Sequence, residues 1–499
     1  MTIFYERLSF LDNTFLAMEG PSNPMHVGGT LVFEPGDLGR EGGGVAIDTI
    51  RTFIEARLQY VPRYRQRLQW IPVERHPVWV DDTHFDPTYH IRHIALPHPG
   101  SEEQLRQMAG RILSQRLDRI KPLWEVWVVE GLADGGFALV SKVHHCMIDG
   151  IGGVDLLKVL LTPSPSDDVG EPDEYIPRPA PTPGQLFADE AIRRFIAPIV
   201  AAQGARRFVD ETKEIREDIR HRLLAMRQSA RSGWLTRASA TPLNARIGPN
   251  RRIAFLQTPL EQVKAIKRKH GGTVNDVVIA AVAGAVRSFL IEERGVEVGG
   301  LDFRAMVPVS TRRGRAAGLG NQVTMWLLDL PIGEPDPVER LRAVGAMTFD
   351  RKRSDHALGA SLLTQSASFT PSTVLAVAAR VAAATARPFN MTITNVPGPQ
   401  VPLYLLSARL TRMHPMVPLW VNHALGVALF SYDGKLDWGI AADWDLVPDV
   451  DEFVARVIGA LDALENAPEA ARGRSRKRPV RGAEARSDAA APVDDTGSS

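Results

Sequence analysis

One cysteine, Cys146, is all the thiol that 499 residues contain. An intrachain disulfide framework is therefore excluded, and the usage fits a reducing compartment. An excess of either charge is also missing. Lys+Arg 59 stand against Asp+Glu 58, a formal net charge of +1, so the total carries no electrostatic argument for nucleic acid as a partner. No uninterrupted apolar stretch reaches the roughly 18–20 residues of a spanning helix. The nearest, Ser372–Ala386, is alanine-rich, is broken by Arg380 and reads as a packed helix. In "MTIFYERLSFLDNTFLAMEG" the charges of Glu6, Arg7 and Asp12 fall where a signal peptide needs its apolar core. A cytoplasmic protein is expected. There is no G-x-S-x-G elbow of a serine hydrolase, and no fixed-period repeat of solenoid type.

What is present is the balance of a globular protein, 44% hydrophobic and 23% charged. The length suits two large domains or three smaller ones. Residues 1–162 mix strands ("GTLVFEP", "LWEVWVVEGL") with a helix opening at Ser101, where a cap signature precedes Leu105, Met108, Ile112 and Leu113 on one side. This is an α/β pattern. Residues 163–246 begin with "PSPSDDVGEPDEYIPRPAPTPG", too rich in proline and acid for regular structure, and read as a linker. The linker region continues into an amphipathic helix carrying Phe208, Ile215, Ile219, Leu223 and Met226, which suits packing on the protein body or contact with a membrane surface. Residues 247–468 form a second α/β region with strands at "RIAFLQTPL" and "FRAMVPVS", a helix from Val274 to Leu290, and closing strands in "HALGVALFSYDGKLDWGIAAD". Residues 469–499 lack apolar periodicity and read as a disordered tail.

The stretch "FALVSKVHHCMIDG", Phe137–Gly150, runs an apolar strand into two histidines, then an aspartate and a glycine. Successive strand side chains point to opposite faces, so His144 and His145 do not share a ligand on a regular strand. A zinc site also lacks its remaining ligands, and no metal is expected. Cys146 beside an imidazole is a conceivable nucleophile, but neighbouring strand side chains diverge. What remains is one imidazole acting as general base on a hydroxyl or amine. Asp149, paired with an arginine, would then pin the loop, and Gly150 would leave room for close approach. The structural alternative, a histidine pair that merely ends a strand, stays open on the residues alone.

His144, His145, Asp149 and Gly150 form HHxxxDG, the signature of the superfamily of chloramphenicol acetyltransferase, carnitine acyltransferases and peptide-synthetase condensation domains. With "PMHVGG", "PLWEVWVVEGL", "TVNDVVIAA", "VPVSTR", "GNQVT" and "TNVPGP" in order from about Leu8 to Leu464, the chain resembles the bacterial wax ester synthase/diacylglycerol acyltransferase family. The resemblance implies two acetyltransferase-like α/β sandwich domains joined by a linker with helices, with an active-site channel at their interface. It implies acyl transfer from long-chain acyl-CoA to diacylglycerol or a fatty alcohol, with acyl-CoA as substrate and no cofactor. By the same resemblance His145 is the base, Asp149 the structural carboxylate and His144 a support. Asn275 and Asp276 either complete the site or cap a helix. Pro122, Leu123 and Trp124 shape the channel or the packing, Asn395–Pro399 forms a rigid turn, and Arg65 or Arg67 pairs with Asp149. A membrane or lipid-body surface at the inner face of the cell is the expected location. The alternatives are a carrier-protein-dependent condensation-type acyltransferase and a non-catalytic lipid-binding protein of the same fold.

Overall fold

The computed structural model describes residues 4–40, 44–147, 156–195, 237–310, 323–355 and 387–469. Asp149, Gly150, the Phe208–Met226 pattern, Ser372–Ala386 and all but the first residue of the 469–499 tail lie outside them.

Among the described residues the strands form three sheets. The first large sheet contains β2 (His26–Glu34), β5 (Ile91–Ala95), β6 (Trp124–Glu130), β7 (Phe137–His144), β12 (Tyr404–Leu405) and β13 (Ala408–Met416), in the order β12-β13-β2-β7-β6-β5. The second contains β8 (Arg251–Pro259), β9 (Arg304–Ser310), β10 (Val323–Asp329), β11 (Met391–Pro397), β14 (Leu425–Tyr432) and β15 (Lys435–Asp443), in the order β10-β9-β11-β14-β15-β8. A small sheet pairs β1 (Glu6–Arg7), β4 (Pro77–Asp81) and β3 (Gln66–Trp70). The principal helices are α1 (Phe10–Met18), α2 (Ile47–Arg57), α3 (Glu102–Ser114), α4 (183–195), α5 (Leu260–His270), α6 (Val274–Glu292), α7 (Pro337–Asp355) and α8 (Val450–Asn466).

Both faces of the first sheet are buried, as the period-2 pattern of its strands allows. Val32, Val129, Ala138 and Val140 face the larger core, which they share with α3 and the second sheet. Leu31, Phe33, Val126, Val128, Phe137 and Leu139 face a second core closed by α2. The cap signature at Ser101 is realised as a full capping box with Gln104. Among the described residues, α6 is long and apolar enough to cross a membrane. It is the core helix instead: Asp276–Val286, Phe289 and Leu290 are buried, as expected of a helix that is apolar all round.

Two features bind the halves of the chain together. α3 lies on β8 closely enough that a Cβ on Gly110 would stand 2.8 Å from the Arg251 carbonyl oxygen, and the Arg251 amide donates to the Ser114 hydroxyl at 2.9 Å. The other feature is β13. It comes from the second half of the sequence yet pairs antiparallel with β2, extending the first sheet. It also runs so close over β15 that a Cβ on Gly439 would stand 1.7 Å from the Pro415 carbonyl oxygen. The proline-rich start of the linker is fastened to the first half: Arg57 donates to the Val169 carbonyl (3.0 Å), the Tyr175 hydroxyl to the Arg65 carbonyl (3.1 Å), and Arg178 grips Asp81 with two bonds of 2.8 Å.

Candidate active site

The histidine pair sits where β7 stops. His144 is the last strand residue, opposite His26 of β2, and its amide donates to the Leu123 carbonyl at 2.9 Å. His145 opens a 3-10 turn, His145–Met147, with its amide donating to the Met25 carbonyl at 2.8 Å. The change from strand to turn sends the two rings into different surroundings.

His144 points inward and is 1% exposed. Its Nδ1 accepts the Cys146 amide at 3.2 Å, which leaves the ring hydrogen on Nε2. That nitrogen lies 3.7 Å from Oε1 of Glu19. Glu19, at the C-terminal cap of α1, is the hub of a buried cluster. The Nε2 of His26 is 3.5 Å from the same oxygen, while Arg119 (2.6 Å) and Arg116 (3.2 Å) hold Oε2. Burial alone would raise the Glu19 carboxyl, but the His26 hydrogen bond, the His144 imidazole and the Arg119 guanidinium outweigh it and hold it well below the usual range. Burial pushes His144 down to about 3 against the pull of the Glu19 charge. It lowers His26 too, against the hydrogen bond that its ring donates to the Glu19 carboxylate. Both rings are therefore neutral, and the arginines balance the carboxylate.

His145 is half-buried, with one face stacked on Phe15 at 3.8 Å between centroids and 22° between planes. One short helix thus supplies both the platform for His145 and the carboxylate beside His144. α1 itself is fixed by the Ser9 side chain, which accepts the Asp12 amide. Phe15 also meets Trp420 (6.4 Å), which stands edge-on to Phe389 (5.9 Å, 87°). Phe389 packs with Met306 and Leu327, and Met325 borders them. An apolar cluster of the second half therefore reaches the platform of the His145 ring. Where the halves meet, a cavity of about 20 Å³ lined by His26, Leu113, Arg251 and Met416 has room for about one water. The expected channel is not drawn by this cavity.

The remaining expected residues divide into those brought to the histidines and those that are not. Leu123 and Trp124 are brought there through the β6–β7 ladder, and both are fully buried. The indole of Trp124 donates to the Tyr64 carbonyl (2.7 Å) and stacks on His90 (4.7 Å, 16°), so that side chain is held in packing. Asp276 completes a capping box with Thr273 and accepts the Thr348 hydroxyl at 2.7 Å. With half-buried Asn275 beside it, it lies at the start of α6. There a cleft of about 510 Å³ opens towards Arg342 and Lys352 of α7, and no histidine-pair residue lines it.

One expectation changes. Asn395–Pro397 is not a turn: it continues β11, with Asn395 paired to Leu429. The strand ends at Pro397, and a Cβ on the following Gly398 would stand 2.3 Å from Phe430. Arg65 holds Asp173 with bonds of 3.1 and 2.7 Å, and Arg67 lies 3.7 Å from Asp82; the expected pairing of either with Asp149 falls outside the described residues. Cys146 is 1% exposed, and burial pushes its thiol well above the usual value, which removes it as a nucleophile.

Phe15, Glu19 and Trp420 were not singled out from the sequence. Glu19 stands seven residues before His26 in "EGPSNPMH", a spacing that carries no chemical signal until β2 and β7 pair. The strand "ARLTRMHPM" was missed as well, because Arg409, Thr411 and Arg412 obscure its alternation.

Comparison with known proteins gives a consistent result. The model of the wax ester synthase/diacylglycerol acyltransferase catalytic domain matches residues 8–278, and that of the WS/DGAT C-terminal domain matches 319–465. A putative diacylglycerol O-acyltransferase of Mycobacterium tuberculosis is 33% identical over 481 residues, covering 93% of this chain and 92% of that protein. A probable diacylglycerol O-acyltransferase of the same species is 33% identical over 470 residues, covering 91% of this chain and 98% of its own length. Among solved structures, the wax ester synthase/diacylglycerol acyltransferase from Marinobacter aquaeolei VT8 superposes with a TM-score of 0.67 at 26% identity, over 92% of this chain and 98% of that one. The first condensation domain of the CDA synthetase (TM-score 0.54, 16% identity, 94% and 97% covered) shares the fold alone.

Proposed function

Since the chain belongs to the wax ester synthase/diacylglycerol acyltransferase family and is an acyltransferase, we propose that it esterifies diacylglycerol or a long-chain alcohol with the acyl group of a long-chain acyl-CoA. The observation that carries the reading is the division of labour in the histidine pair. His144 is sealed beside Glu19, whereas His145 is half-buried, with its ring stacked on Phe15.

In the proposed reaction His145 takes the proton of the acceptor hydroxyl as the oxygen attacks the thioester carbonyl, in a ternary complex without an acyl-enzyme. A tetrahedral oxyanion forms, the C–S bond breaks, and the His145 proton goes to the departing CoA thiolate. The reading requires no metal or resident cofactor, because acyl-CoA enters as a substrate. Met306, Met325, Leu327, Phe389 and Trp420 offer an apolar wall of the kind an acyl chain needs near the reacting carbonyl. Asp149 keeps its proposed role as the carboxylate that pins the loop. Substrates this insoluble place the protein at a membrane or lipid-body surface on the cytoplasmic side, as a peripheral protein.

The test is incubation of the purified protein with radiolabelled palmitoyl-CoA and either dioleoylglycerol or hexadecanol, followed by thin-layer separation of neutral lipids. Labelled triacylglycerol or wax ester, with one CoA released per ester, is expected. Acyl transfer only from an acylated carrier protein, or none at all, would overturn the reading.

A further inference from the structure

We propose that the protein docks on an anionic phospholipid bilayer through the outer stripe of α4 and the tip of the neighbouring β3–β4 hairpin. The proposal rests on the peripheral-membrane reading above and names the face that makes the contact.

α4 has two apolar faces where a soluble helix needs one. Its inner face sets Leu186 among Ile71, Val78 and Val80. Its outer face carries Phe187, Ala191 and Phe195 at i, i+4 and i+8, with Ala188 and Ile192 between them. Phe187, Ile192 and Phe195 are 51%, 56% and 80% exposed. At the hairpin tip Val73 is 87% exposed and holds φ at +68°. A β-branched residue in that region is strained where glycine or asparagine would fit, so neither burial nor backbone preference accounts for a valine there. Trp70, at the end of β3, is 39% exposed.

Ion pairs join the two elements. Glu74, next to Val73, lies 3.8 and 3.6 Å from Arg193 and Arg194 of α4 and 3.2 Å from Arg7. Glu190 lies 2.9 Å from both α4 arginines. The carboxylates are inside, with side chains 4% and 6% exposed, while Arg193 and Arg194 are 46% and 53% exposed. Asp189 is bonded to Tyr5. The surface therefore presents guanidinium groups around an apolar stripe while Glu74 and Glu190 face inward. That arrangement fits anionic headgroups above hydrocarbon.

Cys146 is buried, so a thiol introduced as Phe195→Cys accepts an environment-sensitive fluorophore with little background. With full-length protein, vesicles of phosphatidylcholine containing phosphatidylglycerol should shift that emission to the blue and carry the protein upward in flotation. The double variant Val73→Asp/Phe195→Asp should partition at least tenfold less, yet transfer acyl groups to micellar acceptor within twofold of wild type. Equal flotation of variant and wild type would overturn the assignment of this face and leave peripheral association standing. Equal flotation on pure phosphatidylcholine would overturn the anionic partner. A fluorophore already shielded before vesicles are added would show that protein covers the stripe, and would also overturn the proposal. Failure of wild type to float at all would overturn both the surface and the membrane reading, without touching acyl transfer.

Discussion

Truncating the two histidines separately should give opposite phenotypes. His145→Ala removes a half-buried ring whose main packing partner is Phe15 at 3.8 Å, a stack worth about 0.5–1.5 kcal/mol. The fold should survive that. The catalytic loss is that of a positioned general base, about 10²–10⁴ in rate, or about 3–5 kcal/mol of barrier. His144→Ala empties a site that is 1% exposed. It also strips the Cys146 amide of its acceptor and leaves Glu19 and the arginines facing a void. The cavity is comparable to that of a large-to-small core change, about 3–5 kcal/mol, and an orphaned buried donor adds about 1–3 kcal/mol. The assays are kcat with palmitoyl-CoA under saturating acceptor and the thermal midpoint of each variant. If His145→Ala keeps more than a tenth of the wild-type kcat, or if His144→Ala melts with His145→Ala, the division of roles is wrong.

Two further perturbations test the fold. Gly439→Ala places a methyl 1.7 Å from a backbone oxygen of β13, which cannot move without parting the strand from β15. A loss of about 3 kcal/mol or more in urea unfolding is expected. Gly459→Ala, on α8 with nothing within 4 Å, should instead gain about 0.5–1 kcal/mol, and a loss there would contradict the described helix. Acid should unfold the protein early. Burial pushes His90 and His423 down to about 4 and His144 and His414 down to about 3. Their ordinary value is about 6.5, so the unfolded chain binds protons that the folded one refuses. The stabilisation is complete above about pH 6.5 and lost as pH falls towards 4, on the order of 2–3 kcal/mol for each ring by pH 4.5. Asp437, raised to about 6 chiefly by burial, acts in the opposite sense and offsets part of this. A thermal midpoint unchanged between pH 6.5 and 5 would refute the neutral-ring assignment.

Much of the fold was legible because the elements concerned declare themselves locally. Ser101 and Gln104 sit at capping-box spacing before an apolar stripe. Asp433–Gly434 joins two strands at positive φ of 43° and 76°, as the sequence "YDGK" implies for a tight hairpin. β13 was hidden for the opposite reason. Its side chains serve a mixed setting between two sheets, so no single period marks it. Asp276 was readable in both senses, and packing favoured the cap, because Thr348 arrives from α7 to bond its second oxygen.

From the residues alone came the α/β class, the histidine motif at a strand end and the family with its acyl-transfer chemistry, because these rest on short-range pattern and on motif order. Tertiary structure decided which imidazole is sealed beside a carboxylate and which stacks half-buried on an aromatic ring. That choice depends on Glu19, Phe15, Arg119 and Trp420, residues up to 405 positions apart in the chain (Phe15 to Trp420). Only the pairing of β2 with β7, and the passage of β13 between the two sheets, brings their charges and rings within range of each other.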